Sequence, residues 1–183
     1  MRWLLVILLA AFGSMNSWQA LAQAPGTTRV KIKNPDPAKW SGSSSFFNSS
    51  TGEFICRPLA CPVPSKVTAS ISSSPTRNPD RQALAKLASQ IPEAMSQANA
   101  KAAGTGRKLE RISSGTTTIR GYPAIVQEAR VDGEKGALYL SKATMFVKSA
   151  LVSFSSYSKS LEVARRNRSA FVQAMVVEDT PIQ

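Results

Sequence analysis

From Lys108 to Ser158 the chain reads as one strand after another: "KLERISSGTTTIR", "YPAIVQEARV", "ALYLSKATMFV" and "ALVSFSSYS", broken by turn signals at Gly121 and at "DGEKG". Segments rich in β-branched and aromatic residues, bounded by turn residues, are strands. Asp132-Gly133 and Gly136 suit a tight antiparallel hairpin. In the later strands both parities carry apolar side chains, Tyr139, Met145 and Val147 on one and Leu138, Leu140 and Phe146 on the other. A sheet wet on one side alternates more cleanly, so cover is expected on both faces.

Two segments with a helical period are available as cover. In the first, Asn78 is the expected N-cap, with Pro79 at the first helical position and Asp80 against the positive end of the dipole. Leu84, Leu87, Ala88, Ile91, Met95, Ala98 and Ala102 form its apolar stripe, and Gly104 is placed to end it. Pro92 removes a backbone donor within the run and should kink or split the helix. The second runs from Ser160 to Val176, capped by Ser158 or Ser160. Leu161, Ala164, Phe171, Val172 and Met175 are expected inside, and Glu162, Arg165, Arg166 and Ser169 outside.

Upstream, Ser45–Phe47, Glu53–Cys56 and Lys66–Ser73 read as a meander of short strands. Residues 25–42 are rich in Pro, Gly and Ser and are expected to stay loose. The fold class is therefore α+β, an antiparallel sheet with a helix on each face (an α/β/α sandwich), in a single domain over 43–177 with a tail at 178–183.

The N-terminus carries a positive start, Met1-Arg2, and an apolar run, Trp3 to Phe12, too short to anchor in a bilayer. Ala22-Gln23-Ala24 has the A-x-A pattern of a signal-peptidase site, so residues 1–24 read as a signal peptide cleaved after Ala24. The remainder is then an exported protein, periplasmic or secreted, with no transmembrane segment.

Export bears on the only two cysteines, Cys56 and Cys61, set in "FICRPLACPVP". Thiols in an oxidising compartment tend to pair, and the expectation is a Cys56–Cys61 disulfide, a local staple on a turn. Histidine is absent. Zinc would then rest on two thiolates and carboxylates, and haem or iron–sulfur patterns need more cysteines or a C-x-x-C-H, so no metal and no cofactor is expected. Four residues between the sulfurs exclude a redox C-x-x-C.

Lys and Arg number 23 against 11 Asp and Glu, a net charge of +12. Such a surplus favours anionic partners. The positive residues are scattered and aromatics for base stacking are few, so nucleic acid is not expected. Lipid head groups, cell-wall polymers or an acidic envelope protein fit an exported chain better. Arg165, Arg166 and Arg168 form the one compact cluster, a possible anion-binding site; the same residues also read as the solvated side of an amphipathic helix.

Catalytic signatures are missing. Without histidine a Ser–His–Asp triad lacks its base, and no G-x-S-x-G elbow, Walker loop or dinucleotide fingerprint occurs. Ser141-Lys142 and Ser158-Lys159 are adjacent pairs lacking the S-x-x-K spacing, and neighbours on a strand point to opposite faces. No catalytic residue is assigned.

The element order, with "RGYPAIVQEARV", the "DGEKG" hairpin, "ALYLSKATMFVKSALVSFSSYS" and "LEVARRNRSAFVQAM", resembles the PsbP-like fold, shared by the extrinsic photosystem II subunit and the Ran-binding Mog protein. The resemblance spans Ser43 to Val177. It implies the fold and a tendency toward protein-partner roles; the cysteine pair and its proline-rich turn depart from it. The resulting expectation is an exported, non-catalytic binding or accessory protein of the bacterial cell envelope. A basic module binding polyanions or membrane surfaces, and a hydrolase with a Ser–Lys site, are the alternatives.

Overall fold

The computed structural model describes residues 28–42, 45–47, 51–74, 79–102, 107–133 and 136–179. The signal-peptide segment, Asn78 and Gly104 lie outside these residues. Among the described residues, ten strands and three helices follow in chain order: β1 (Thr28–Lys33), β2 (Trp40–Gly42), β3 (Ser45–Phe47), β4 (Thr51–Cys56), β5 (Ser65–Ser73), α1 (Arg81–Ser89), α2 (Ile91–Ala102), β6 (Lys108–Ile119), β7 (Tyr122–Asp132), β8 (Leu138–Val147), β9 (Ala150–Ser158), α3 (Leu161–Ala174) and β10 (Met175–Asp179). Seven strands make one antiparallel sheet in the order β2-β4-β5-β9-β8-β7-β6, and a second sheet runs β10-β1-β3. The class is α+β.

The long strands are joined by short turns. Between β6 and β7 the turn is Arg120-Gly121, with positive φ at both residues (52° and 81°). That backbone matches the twist of the flanking strands but is uncomfortable for a residue with a Cβ. Arg120 is held there by its own side chain, which donates to the carbonyls of Val172 (3.1 Å) and Met175 (2.5 Å) at the end of α3. A cation at a helix C-terminus satisfies carbonyls that have no partner within the helix.

Neighbouring residues along a strand enter different clusters, as alternation requires. Ala124, Met145 and Val152 join Val67, Phe154, Phe171 and Val172 in the larger core. Ile125 and Phe146, one position along, join Leu84 and Ile91 of α1 and α2, with Leu87, Met95 and Leu151 packed against them. In the larger core the Phe171 ring stands edge-on to Trp40 (centroids 5.2 Å) and tilted against Phe54 (4.6 Å).

Within the segment expected to stay loose, residues 28–42 are built into the fold. "TRVKIK" alternates, Val30 and Ile32 are fully buried, and β1 pairs with β10 from Thr28↔Asp179 to Ile32↔Met175. The partner strand lies nearly 150 residues away in sequence, so no local pattern announces it. The same pairing takes Met175 and Val176 out of the expected helix, which ends at Ala174, and sets Glu178 and Asp179 in β10 opposite Arg29 and Thr28. Ser45–Phe47 pairs with β1 and so leaves the expected meander. The first helix is divided at Gln90, with Pro92 at the second position of α2, where a missing N–H costs nothing. Its N-cap is Asp80, whose carboxylate accepts from Ala83 N at 2.7 Å. Ser160 caps α3.

If β1 is part of the core, Ile32→Ala lowers unfolding free energy by about 2–4 kcal/mol, the usual cost of emptying a buried isoleucine site. Exposed Ile112→Ala changes it by about 0.5 kcal/mol or less. Urea denaturation of the two variants checks both.

Candidate functional site

The helix α3 packs over β8 and β9, and the structure sends its three arginines different ways. Arg165 grips Glu128 of β7 with two parallel hydrogen bonds, Nε to Oε1 at 2.7 Å and a terminal nitrogen to Oε2 at 2.6 Å. Arg168 donates to the Ser141 hydroxyl on β8 at 2.9 Å. Arg166 is exposed. The expected three-arginine anion site is therefore not gathered around one outward point, because two of its guanidinium groups reach down to the sheet.

Glu128 is only 6 % exposed. Ser113 of β6 also donates to it, at 2.9 Å. The Arg165 hydrogen bonds hold its carboxyl below the usual carboxylate range against the opposing effect of burial, and the same contact raises the Arg165 guanidinium. Arg168 is pulled below its ordinary value by desolvation. Sequence reasoning did not single out Glu128, Ser113 or Ser141 as partners of this helix. The signal for Glu128 was its parity: it shares a side of β7 with Ala124, which enters the larger core. Asn167, also buried and placed one turn before Phe171, was likewise missed.

Neither adjacent Ser–Lys pair is assembled. Ser141 is committed to Arg168, while Lys142 projects from the other side of β8. Ser158 bonds to Ser65 and to the Pro64 carbonyl, and Lys159 is exposed. Lys142 instead stands opposite Ser155 of β9. Burial pulls its pKa down to about 8. Near it in the sheet register, burial pushes the Tyr157 phenol up to about 12.

Cys56 and Cys61 are joined in a disulfide with Cα atoms 6.1 Å apart. Ala60 N and Cys61 N both donate to the Arg57 carbonyl, at 3.0 and 3.1 Å, and Arg57 N donates to the Lys39 carbonyl at 2.9 Å. The turn is thereby fixed on itself and against the 34–39 loop. Among the described residues no group of three or more Cys, Asp or Glu is placed to hold a metal ion.

Two titrations follow from these environments. A carboxyl with a depressed folded pKa contributes stability above its unfolded value, and that contribution is lost as pH falls through the folded value. Glu128→Gln is thus expected to cost about 1–2 kcal/mol at neutral pH, the worth of charge-assisted bonds with one end in water, and the deficit narrows below about pH 4. Lys142 has the opposite sign. The unfolded chain holds its proton more tightly, so wild-type stability rises with pH from about 8 toward the ordinary lysine value. Lys142→Met should flatten the rise in stability between pH ~8 and pH ~10. Urea midpoints across pH measure both.

No family model and no curated protein sequence matches the chain. Solved structures do resemble it. The cyanobacterial PsbP, CyanoP, from Synechocystis sp. PCC 6803 matches 87% of this chain and 99% of its own length at 14% identity, with a TM-score of 0.52. LpqN, described as involved in cell envelope biogenesis of Mycobacterium tuberculosis, matches 86% of this chain and 87% of its own at 14% identity, with a TM-score of 0.50. At such identity the likeness is one of fold. The chain has a PsbP-like fold.

Proposed function

We propose that this chain is an exported, non-catalytic accessory protein of the bacterial cell envelope, released to the periplasm or the medium by cleavage after Ala24. The observation that carries the reading is the bond between Cys56 and Cys61, since disulfides persist where thiols are kept oxidised. The apolar leader with its Ala22-Gln23-Ala24 site supports export. The likeness in fold to LpqN, described as involved in cell envelope biogenesis, supports the same compartment. The division of neighbouring strand residues between two cores supports a sheet with α1 and α2 over one face and α3 over the other.

A binding role is supported by how the polar groups are used. Glu128, Ser141, Arg165 and Arg168 hold α3 to the sheet, contacts that stiffen the body. The partner in this reading is an envelope protein or an anionic polymer, and no cofactor is involved. A second reading, a module for polyanions or membrane surfaces, is favoured by the net charge of +12.

Fractionation of the producing cells tests the proposal. The protein is expected outside the cytoplasm, with a mass that begins at Pro25, two cysteines that resist alkylation until reduced, and no labelling by serine-reactive probes. A full-length chain in the cytosol with free thiols contradicts export; stoichiometric labelling of a serine contradicts the non-catalytic role.

A further inference from the structure

Among the described residues the exposed large hydrophobic side chains are Ile55 (52 %), Leu59 (106 %) and Ile112 (44 %). A single apolar side chain on a surface carries no meaning by itself. Leu59 differs in that it cannot retreat. Its turn is closed at the base by the Cys56–Cys61 bond and across the middle by the two bonds into the Arg57 carbonyl, and Pro58 fixes one more backbone angle. Ile55, second in exposure, lies just before the same turn.

One cation lies in this turn and others lie on the segments joined to it. Arg57 lies within the turn and is exposed, and Lys39 is joined to it through the backbone bond from Arg57 N. Lys39 Nζ rests 5.9 Å from the centre of the Trp40 ring, which holds it at the surface. Lys159, exposed, leaves β9 where Ser158 bonds to Pro64 and Ser65 at the far end of the disulfide segment. The carboxylate of the adjoining loop, Asp36, is turned to its own backbone, accepting from Ala38 N and Lys39 N.

We propose that the disulfide-closed turn Arg57–Ala60 docks this protein on an anionic phospholipid bilayer, with Leu59 entering the interface and Lys39, Arg57 and Lys159 meeting the head groups. The proposal rests on the exported reading above. Charge complementarity selects the occupant: a strongly basic chain carries exposed Arg57 within the turn that presents Leu59, with Ile55 just before it. A stable protein interface needs roughly 1,200 Å² or more, and the exposed large hydrophobic side chains at this turn are Leu59 and Ile55. A bilayer interface asks only for an apolar side chain to insert and for cations beside it.

Flotation of the purified protein with vesicles tests this directly, using phosphatidylcholine alone and phosphatidylcholine mixed with phosphatidylglycerol. Binding is expected on the mixed vesicles alone. Leu59→Ser should weaken it about tenfold, the share of a leucine's transfer energy from partial insertion, and Arg57→Gln about fivefold. Ile112→Ser should leave it unchanged. Leu59→Trp should show blue-shifted emission on the mixed vesicles only. Binding by Leu59→Ser equal to wild type, an equal loss in Ile112→Ser, an unshifted Leu59→Trp, or no binding to either vesicle overturns the proposal. Export is decided separately by cell fractionation, so the docking site can fail while that reading stands.

Discussion

A carboxylate buried on a sheet needs a partner, and the need of Glu128 fixes where the closing helix lies. Its two oxygens are taken by two nitrogens of Arg165, at 2.7 and 2.6 Å, a fork that fits in few orientations. One turn on, Arg168 finds Ser141. With the helix held at those two points, Phe171 falls between Trp40 and Phe54. The ion pair is not where the energy comes from, because its Arg165 end stays in water and burial of the Glu128 carboxylate opposes the gain. Burial of Phe54, Phe154, Phe171 and Met175 drives the folding. The pair selects which of the many greasy packings is adopted.

That division of labour bears on function. The polar groups that a sequence offers as chemistry, the α3 arginines and the serines of β8 and β9, are largely drawn into internal contacts. Strand alternation separates Ser141 from Lys142, and the end of β9 ties Ser158 to Ser65 and Pro64. What reaches outward is different in kind: the single free-standing arginine of α3, Arg166, and a covalently closed turn that carries a leucine and an exposed arginine.

The sequence made some of this legible and hid the rest for identifiable reasons. Strands from Lys108 onward could be read because their partners are the next segments in the chain, so the turn and the alternation are both local. The Ser160 cap and the apolar stripe of α3 were legible for the same reason. The pairing of β1 with β10 was not, since each strand makes sense only beside the other and they stand at opposite ends of the chain. A short alternating stretch among prolines and glycines looks loose until its partner is known. At the candidate site, a cluster of arginines shows in one dimension, whereas the carboxylate that claims one of them comes from a strand 37 residues earlier.

Two of the three α3 arginines, Arg165 and Arg168, are spent on the sheet. The side-chain Nε–Hε resonances of all three can be followed by NMR while inorganic pyrophosphate is added. The account predicts that Arg166 shifts with the general surface while Arg165 and Arg168 keep their positions. Movement of all three together along one saturable curve would contradict it and restore α3 as an anion grip.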